Sequence, residues 1–302
     1  MSSGKESFVD SHVHFWDLSR FEYAWLESES GPLHRDFLPD QLRDDTARVD
    51  GLELSGAVFV QADCRADQGA DEAAWVQELA QAGAPVMAIV AHAALERGAD
   101  CAADLSELAA IPLVSGVRRL IQDEPPGFAT SADFVSGVRL LATHGLSMDL
   151  CVRQRQLDEV IDLVEACPEV MFVLDHLGKP VITWDAFAPW ADALARLATF
   201  PNVRCKLSGI ASEAPVQART SAILRPWVEH AVEVFGASRC MVGSDWPVVT
   251  TATTYRWWFK FLLDLISELS EEDRAGVLST TARSTYDPLN RAARAKDPLT
   301  WL

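Results

Sequence analysis

Two histidines one residue apart carry the clearest chemical signal in the chain, in the segment Asp10-Ser11-His12-Val13-His14-Phe15-Trp16. On a β-strand, side chains two apart point the same way. His12 and His14 would then converge on one point, where two imidazoles can bind a divalent cation or polarise an oxygen. A pair of partly exposed loop histidines is the plainer alternative. A second segment, Asp175-His176-Leu177-Gly178-Lys179-Pro180, ends an apolar run in Asp-His and then turns at Gly and Pro. A third, Met241-Val242-Gly243-Ser244-Asp245-Trp246-Pro247, delivers one carboxylate at the end of another apolar run. A carboxylate so placed can take a proton from water or bind a metal, or simply cap the next helix. A fourth group is cationic, in Gly116-Val117-Arg118-Arg119 and Lys206-Leu207-Ser208-Gly209. Adjacent Arg118 and Arg119 should face opposite ways, so one of them reaches a shared site. Arg118 and Lys206 would donate hydrogen bonds to a polar or anionic substrate, or pair with the protein's own carboxylates.

These residues need strands to position them, and eight short apolar runs are present: 8–11, 56–61, 86–90, 114–118, 147–151, 170–174, 203–207 and 240–243. Stretches with apolar residues at helical spacing lie between them, at 70–82, 156–166, 184–199 and 223–235. Strand–helix alternation implies a parallel sheet, and eight repeats fit a (β/α)8 barrel of the α/β class. An open doubly wound sheet is the alternative, but no G-x-G-x-x-G follows the first strand. Each motif then falls at the C-terminal end of a strand, the face where barrel enzymes keep their active sites. His92 follows the third strand and can also line the mouth, as can His34 in the first long loop. His144 precedes the fifth strand and His230 sits within a helix, so both read as structural. Residues 16–49, with Trp16, Tyr23 and Trp25, would form a substrate loop. Trp257 and Trp258 lie on an apolar stripe that reads as core.

The chain has 302 residues and a formal net charge of −18. That charge argues against nucleic acid and anionic membranes as partners, since both reward clustered Lys and Arg. No stretch approaches the ~18 apolar residues of a membrane span, and the first residues carry no apolar leader segment. A cytoplasmic protein is expected, with one domain over 1–302. The six cysteines form no C-x-x-C pair and fall in apolar or helical stretches, which predicts buried free thiols. Oligomeric state is not legible, because no coiled-coil pattern stands out.

Together the four motifs resemble the amidohydrolase superfamily, and within it the amidohydrolase-related lactonase branch. They are D-x-H-x-H-x-W, D-H-x-G-K-P, K-L-S-G and G-S-D-W-P. That branch contains sugar lactonases and 2-pyrone-4,6-dicarboxylate lactonases. The likeness runs in order from Val9 to Tyr286. It implies a distorted (β/α)8 barrel and hydrolysis at a carbonyl carbon. His12, His14, His176 and Asp245 would form the catalytic set, and Arg118 and Lys206 would bind substrate. One zinc ion would sit on His12, His14 and Asp245, although some lactonases of the branch use no metal. The second metal of other superfamily members needs ligands on strands four and five. Here those strands end in Arg118 and in Asp149-Leu150-Cys151. Thr280-Thr281-Ala282-Arg283 also departs from the Asn-Ala common near the C-terminal Tyr.

The expected reaction is opening of a small lactone, most naturally an aldonolactone, with Asp245 as general base and then proton donor to the leaving alkoxide. Trp16 and Trp246 would stack on a sugar face, and His92 would contact substrate. Two rival readings follow from the same residues. One is a metal-dependent decarboxylase of a small aromatic acid on this scaffold. The other is a non-catalytic barrel that binds sugar acids.

Overall fold

The computed structural model describes residues 5–27 and 31–297. The ends of the expected 1–302 unit therefore lie outside the described residues. Eight strands form one sheet in sequential order, every neighbouring pair parallel. They are β1 Glu6–Val13, β2 Leu52–Val60, β3 Val86–Ala91, β4 Val114–Arg118, β5 Ser147–Leu150, β6 Phe172–Leu174, β7 Val203–Leu207 and β8 Cys240–Val242. Strands covered on both faces should read as nearly continuous apolar runs, and β3 (VMAIVA) and β6 (FVL) do so.

The sheet curls until its first and last strands meet just beyond β8. The Asp245 N–H donates to the His12 carbonyl at 2.9 Å, and the His14 N–H donates to the Trp246 carbonyl at 2.7 Å. The Asp10 carboxylate reinforces this seam. Its Oδ1 accepts from the Ser244 N–H at 2.8 Å and its Oδ2 from the Tyr255 hydroxyl at 2.9 Å. The barrel thus closes through the two motifs that carry His12, His14 and Asp245.

Helices Gly69–Gln81, Leu157–Ala166, Trp184–Ala198 and Ser221–Phe235 cover the barrel, within two residues of the spans expected from periodicity. The helix Ala132–His144 has Ser131 at its N-terminus accepting from the Phe134 N–H, and Gly145 at its other end with φ of 63°. Such ends satisfy backbone groups that the helix itself cannot pair. His144 closes this helix before β5, and His230 lies in the helix Ser221–Phe235 with Nε2 3.2 Å from the Ala191 carbonyl. All six cysteines are buried and free. Trp258 is fully buried. No described helix is long and apolar enough to cross a membrane.

Among the described residues of the segment 16–49, Trp16, Tyr23 and Phe37 are buried in an aromatic layer. Trp16 is fully buried, donates its indole N–H to the Arg35 carbonyl at 2.6 Å, and packs against Tyr23, Trp25 and Phe37. Residues 28–30 of this segment lie outside the described residues.

Candidate active site

Three imidazole Nε2 atoms face one carboxylate oxygen at the barrel mouth. Asp245 Oδ1 lies 3.3 Å from His14 Nε2, 3.7 Å from His12 Nε2 and 3.9 Å from His176 Nε2. His12 Nε2 and His14 Nε2 are 3.2 Å apart. The alternation of side chains on β1 that pairs these two histidines therefore survives folding. His176 arrives from the turn after β6 and Asp245 from the turn after β8. Both have left-handed backbones, with φ of 53° and 62°, a conformation that costs energy for residues other than Gly and concentrates at functional sites.

The far side of each ring is held. The His14 Nδ1–H donates to the Val60 carbonyl at 2.7 Å, which turns Nε2 toward Asp245. His176 Nδ1 lies 2.8 Å from Ser208 Oγ. His12 Nδ1 faces Asp175 Oδ1 at 3.2 Å and Lys206 Nζ at 3.3 Å. With its proton on Nδ1, beside the Asp175 carboxylate, His12 would keep its Nε2 lone pair free for ligation. Gly209, the last residue of the K-L-S-G motif, makes room for this packing. A Cβ there would sit 2.3 Å from His176 Nδ1, and its φ is +68°.

Burial and charge set the protonation states. Burial drives the His12 pKa well below the usual imidazole value and His176 to about 4, against the pull of Asp175 and, for His176, of Asp245. Burial alone would raise Asp245, but His176, the hydrogen bond with His14 and the nearby His12 hold it far below the usual carboxylate range. At neutral pH the cluster is two neutral, buried rings (His12 and His176) facing an ionised carboxylate, with His14 alongside. One donor atom each from His12, His176 and Asp245 lies within 4.8 Å of the others. These three could hold a metal ion, and His14 Nε2 lies 3.2 Å from His12 Nε2 and 3.3 Å from Asp245 Oδ1.

Above the cluster is a cleft of about 280 Å³ lined by His14, His176, Asp245, Arg118, Lys179, Gln122, Cys151, Asp63, Asp123 and Trp25, among others. Arg118 points in from β4, and its NH2 donates to the Gln61 carbonyl at 2.6 Å while NH1 lies 3.3 Å from both Asp175 Oδ2 and His12 Nε2. Arg119 faces away and pairs with Glu96 and Glu124, as alternation on a strand requires.

Several expected contacts are not in this cleft. Lys206 is wholly buried beneath it, paired with Asp149 and, at 3.0 Å, with Asp175. It lies against His12 Nδ1 at 3.3 Å and is not among the residues that line the cleft. Trp16 and Trp246 do not line the cleft either. Trp246 is 1% exposed, packs on Phe15 and Phe37, and donates its indole N–H to Asp45 at 3.0 Å. Large aromatics near a barrel mouth serve packing at least as readily as stacking, and here packing takes both. His92 lines a separate hollow of about 390 Å³ beside Arg97 and Asp104. His34 bonds the Leu26 carbonyl through Nδ1.

Other residues matter that the sequence reading gave no role. Asp175 joins His12, Lys206 and Arg118 in one buried network. Burial would raise its pKa, but Lys206 and His12 hold it well down. Asp149 accepts from the Tyr286 hydroxyl at 2.8 Å. A usable signal existed, since a carboxylate inside an apolar strand has to be paired and Lys206 sits in the facing run. Trp25 lines the cleft, anchored by its indole N–H to the Ala62 carbonyl at 2.8 Å.

Comparison with known proteins gives a consistent result. The L-fucono-1,5-lactonase of Burkholderia multivorans is 34% identical over 297 residues, covering 92% of this chain and 95% of that protein. The L-rhamnono-gamma-lactonase of Scheffersomyces stipitis is 24% identical over 336 residues, covering 94% and 99%. A crystal structure of a Burkholderia multivorans amidohydrolase with bound zinc superimposes with a TM-score of 0.82 at 33% identity, covering 93% of this chain and 99% of that one. The amidohydrolase family model matches residues 9–287, a span that holds all four motifs, and the chain belongs to the amidohydrolase family.

Proposed function

We propose that the protein hydrolyses a small sugar lactone, with water attacking the ring carbonyl carbon. The observation that carries this reading is the convergence of His12, His14 and His176 Nε2 on Asp245 Oδ1 at the floor of an open cleft. Likeness to proteins named L-fucono-1,5-lactonase and L-rhamnono-gamma-lactonase supports an aldonolactone as substrate.

The donor set fits a zinc ion. Its nitrogen and oxygen donors are the types zinc takes, and hydrogen bonds to the outer nitrogens are the usual partners of ligating histidines. His12, His176 and Asp245 would hold the ion, with His14 beside them. A bound zinc would supply Lewis acidity, polarising the ring carbonyl and acidifying the attacking water.

The chain's own groups do the rest. Asp245 stays ionised at neutral pH and accepts the proton of the attacking water. It then returns that proton to the alkoxide as the ring C–O bond breaks. The Arg118 guanidinium, fixed by Gln61 and Asp175, lies beside His12 Nε2. From there it stabilises the negative charge that grows on the carbonyl oxygen. Gln122, Asp63 and Asp123 offer acceptors and donors for ring hydroxyls. Each turnover makes a carboxylic acid that ionises and releases one proton.

A pH-indicator assay over a panel of aldonolactones, on protein stripped of metal and then supplied with zinc, tests the reading. Proton release above the spontaneous rate with at least one aldonolactone is expected. No turnover of any lactone, with carbon dioxide released from a benzoate-like acid instead, would replace it with the decarboxylase reading.

A further inference from the structure

Among the described residues that line the cleft, the cations are Arg118 and Lys179, and each is already matched by a carboxylate. Arg118 has Asp175 at 3.3 Å. Lys179 Nζ lies 3.0 Å from Glu213 Oε1 and donates to Gln122 Oε1 at 2.7 Å. Lys179 is not there by default. It ends a left-handed turn in which His176, Leu177, Gly178 and Lys179 have φ of 53°, 57°, 72° and 46°, strain that three non-glycine residues sustain only if the surrounding structure holds it. Glu213 comes from a different loop, at the end of the short helix Ile210–Glu213 after β7. It does not line the cleft. Its Oε2 lies 3.8 Å from Arg153, which also pairs with Asp123 at 3.2 Å. Asp123 is thus itself paired with Arg153, and both cations that line the cleft among the described residues carry a carboxylate partner.

We propose that Glu213 is a specificity-determining residue which neutralises Lys179, so that the cleft accepts an uncharged, polyhydroxylated ring and repels a carboxylate. The proposal rests on the lactone reading above. Its chemical consequence lies in the product. Hydrolysis adds water across the ester, the ring C–O bond breaks, and the new carboxylic acid loses its proton. A neutral substrate thus becomes an anion in a cleft whose lysine is already neutralised by Glu213, so Lys179 adds little to retention of the product. Carboxylated lactones are disfavoured for the same reason.

The test is Glu213→Gln, which keeps the shape and leaves Lys179 uncompensated. Gluconate serves as the anionic probe, read as an inhibitor of hydrolysis of a neutral aldonolactone and, independently, as a stabiliser of metal-free protein in thermal melts. The inhibition constant for gluconate is expected to fall by about tenfold or more, the scale of one gained charge contact, while KM for the neutral lactone moves by less than about threefold. Glu213→Asp should restore the wild-type constant, and adding Lys179→Met to Glu213→Gln should cancel the gain. Equal gluconate binding in wild type and Glu213→Gln, or a change in KM that parallels the change in gluconate inhibition, would overturn the proposal. If the wild type opens no lactone, the lactone reading fails on its own. The thermal melts then decide this proposal: a larger gluconate shift in Glu213→Gln supports it and equal shifts reject it.

Discussion

Gly209 is where one methyl group would matter most. It follows the Ser208 that faces His176 Nδ1, and its own Cα hydrogen lies where a Cβ would meet that ring at 2.3 Å. A Gly209→Ala variant adds that clash to a left-handed backbone penalty of about 1–2 kcal/mol. The ring must move, and a displacement on the order of 1 Å at a reacting group can cost about 100-fold in rate. We expect turnover to fall by that order with the far-UV circular dichroism of the barrel unchanged. A variant with the wild-type rate would mean that the position of His176 is not needed. The motif glycine was visible in K-L-S-G, but its reason was not, because nothing in the sequence says that His176 packs on it. Trp16 and Trp246 illustrate the same limit. Their types suit a sugar face, and only the fold assigns them to the aromatic layer with Phe37.

At the scale of elements, the strands were legible because each is an apolar run of barrel length, and β4 and β7 begin and end where the sequence places them. The histidine pair on β1 was legible for a similar reason, since alternation on a strand is a local rule. The direction of Lys206 was not legible, because it depends on the neighbours. It points into the barrel interior, where Asp149 and Asp175 enclose it, rather than up into the cleft. Elements also meet at Glu72, on the helix Gly69–Gln81. It is 1% exposed and accepts from the Tyr23 hydroxyl at 3.1 Å and the Ala62 N–H at 3.3 Å, tying that helix to a cleft-lining loop. Burial pushes its pKa from 4.5 to about 7 despite those donors. A carboxyl raised in the folded state adds stability below its unfolded pKa and loses it as pH climbs through the folded value. Stability should therefore drop by on the order of 3 kcal/mol from this group between about pH 4.5 and 7. Glu72→Gln lacks the titration, so the melting temperature of the wild type relative to the variant should decline across that window. A difference that is flat or grows with pH would show that Glu72 does not titrate there.

Over the whole molecule, closure of the barrel and assembly of the site are one event. The seam joins His12 to Asp245 and His14 to Trp246 through the backbone, so the first and last motifs, more than 230 residues apart in sequence, become neighbours only when the eighth strand docks on the first. The account as a whole stands on Asp245 as the proton acceptor in lactone opening, and Asp245→Asn tests it most directly. The amide keeps the size of the side chain and removes the base. On a neutral aldonolactone that the wild type hydrolyses, with zinc supplied to both, kcat should fall by at least about 100- to 10,000-fold, the span attributed to general acid–base catalysis. The melting curve should remain cooperative. A variant that still opens the lactone at a rate near that of the wild type would contradict the account.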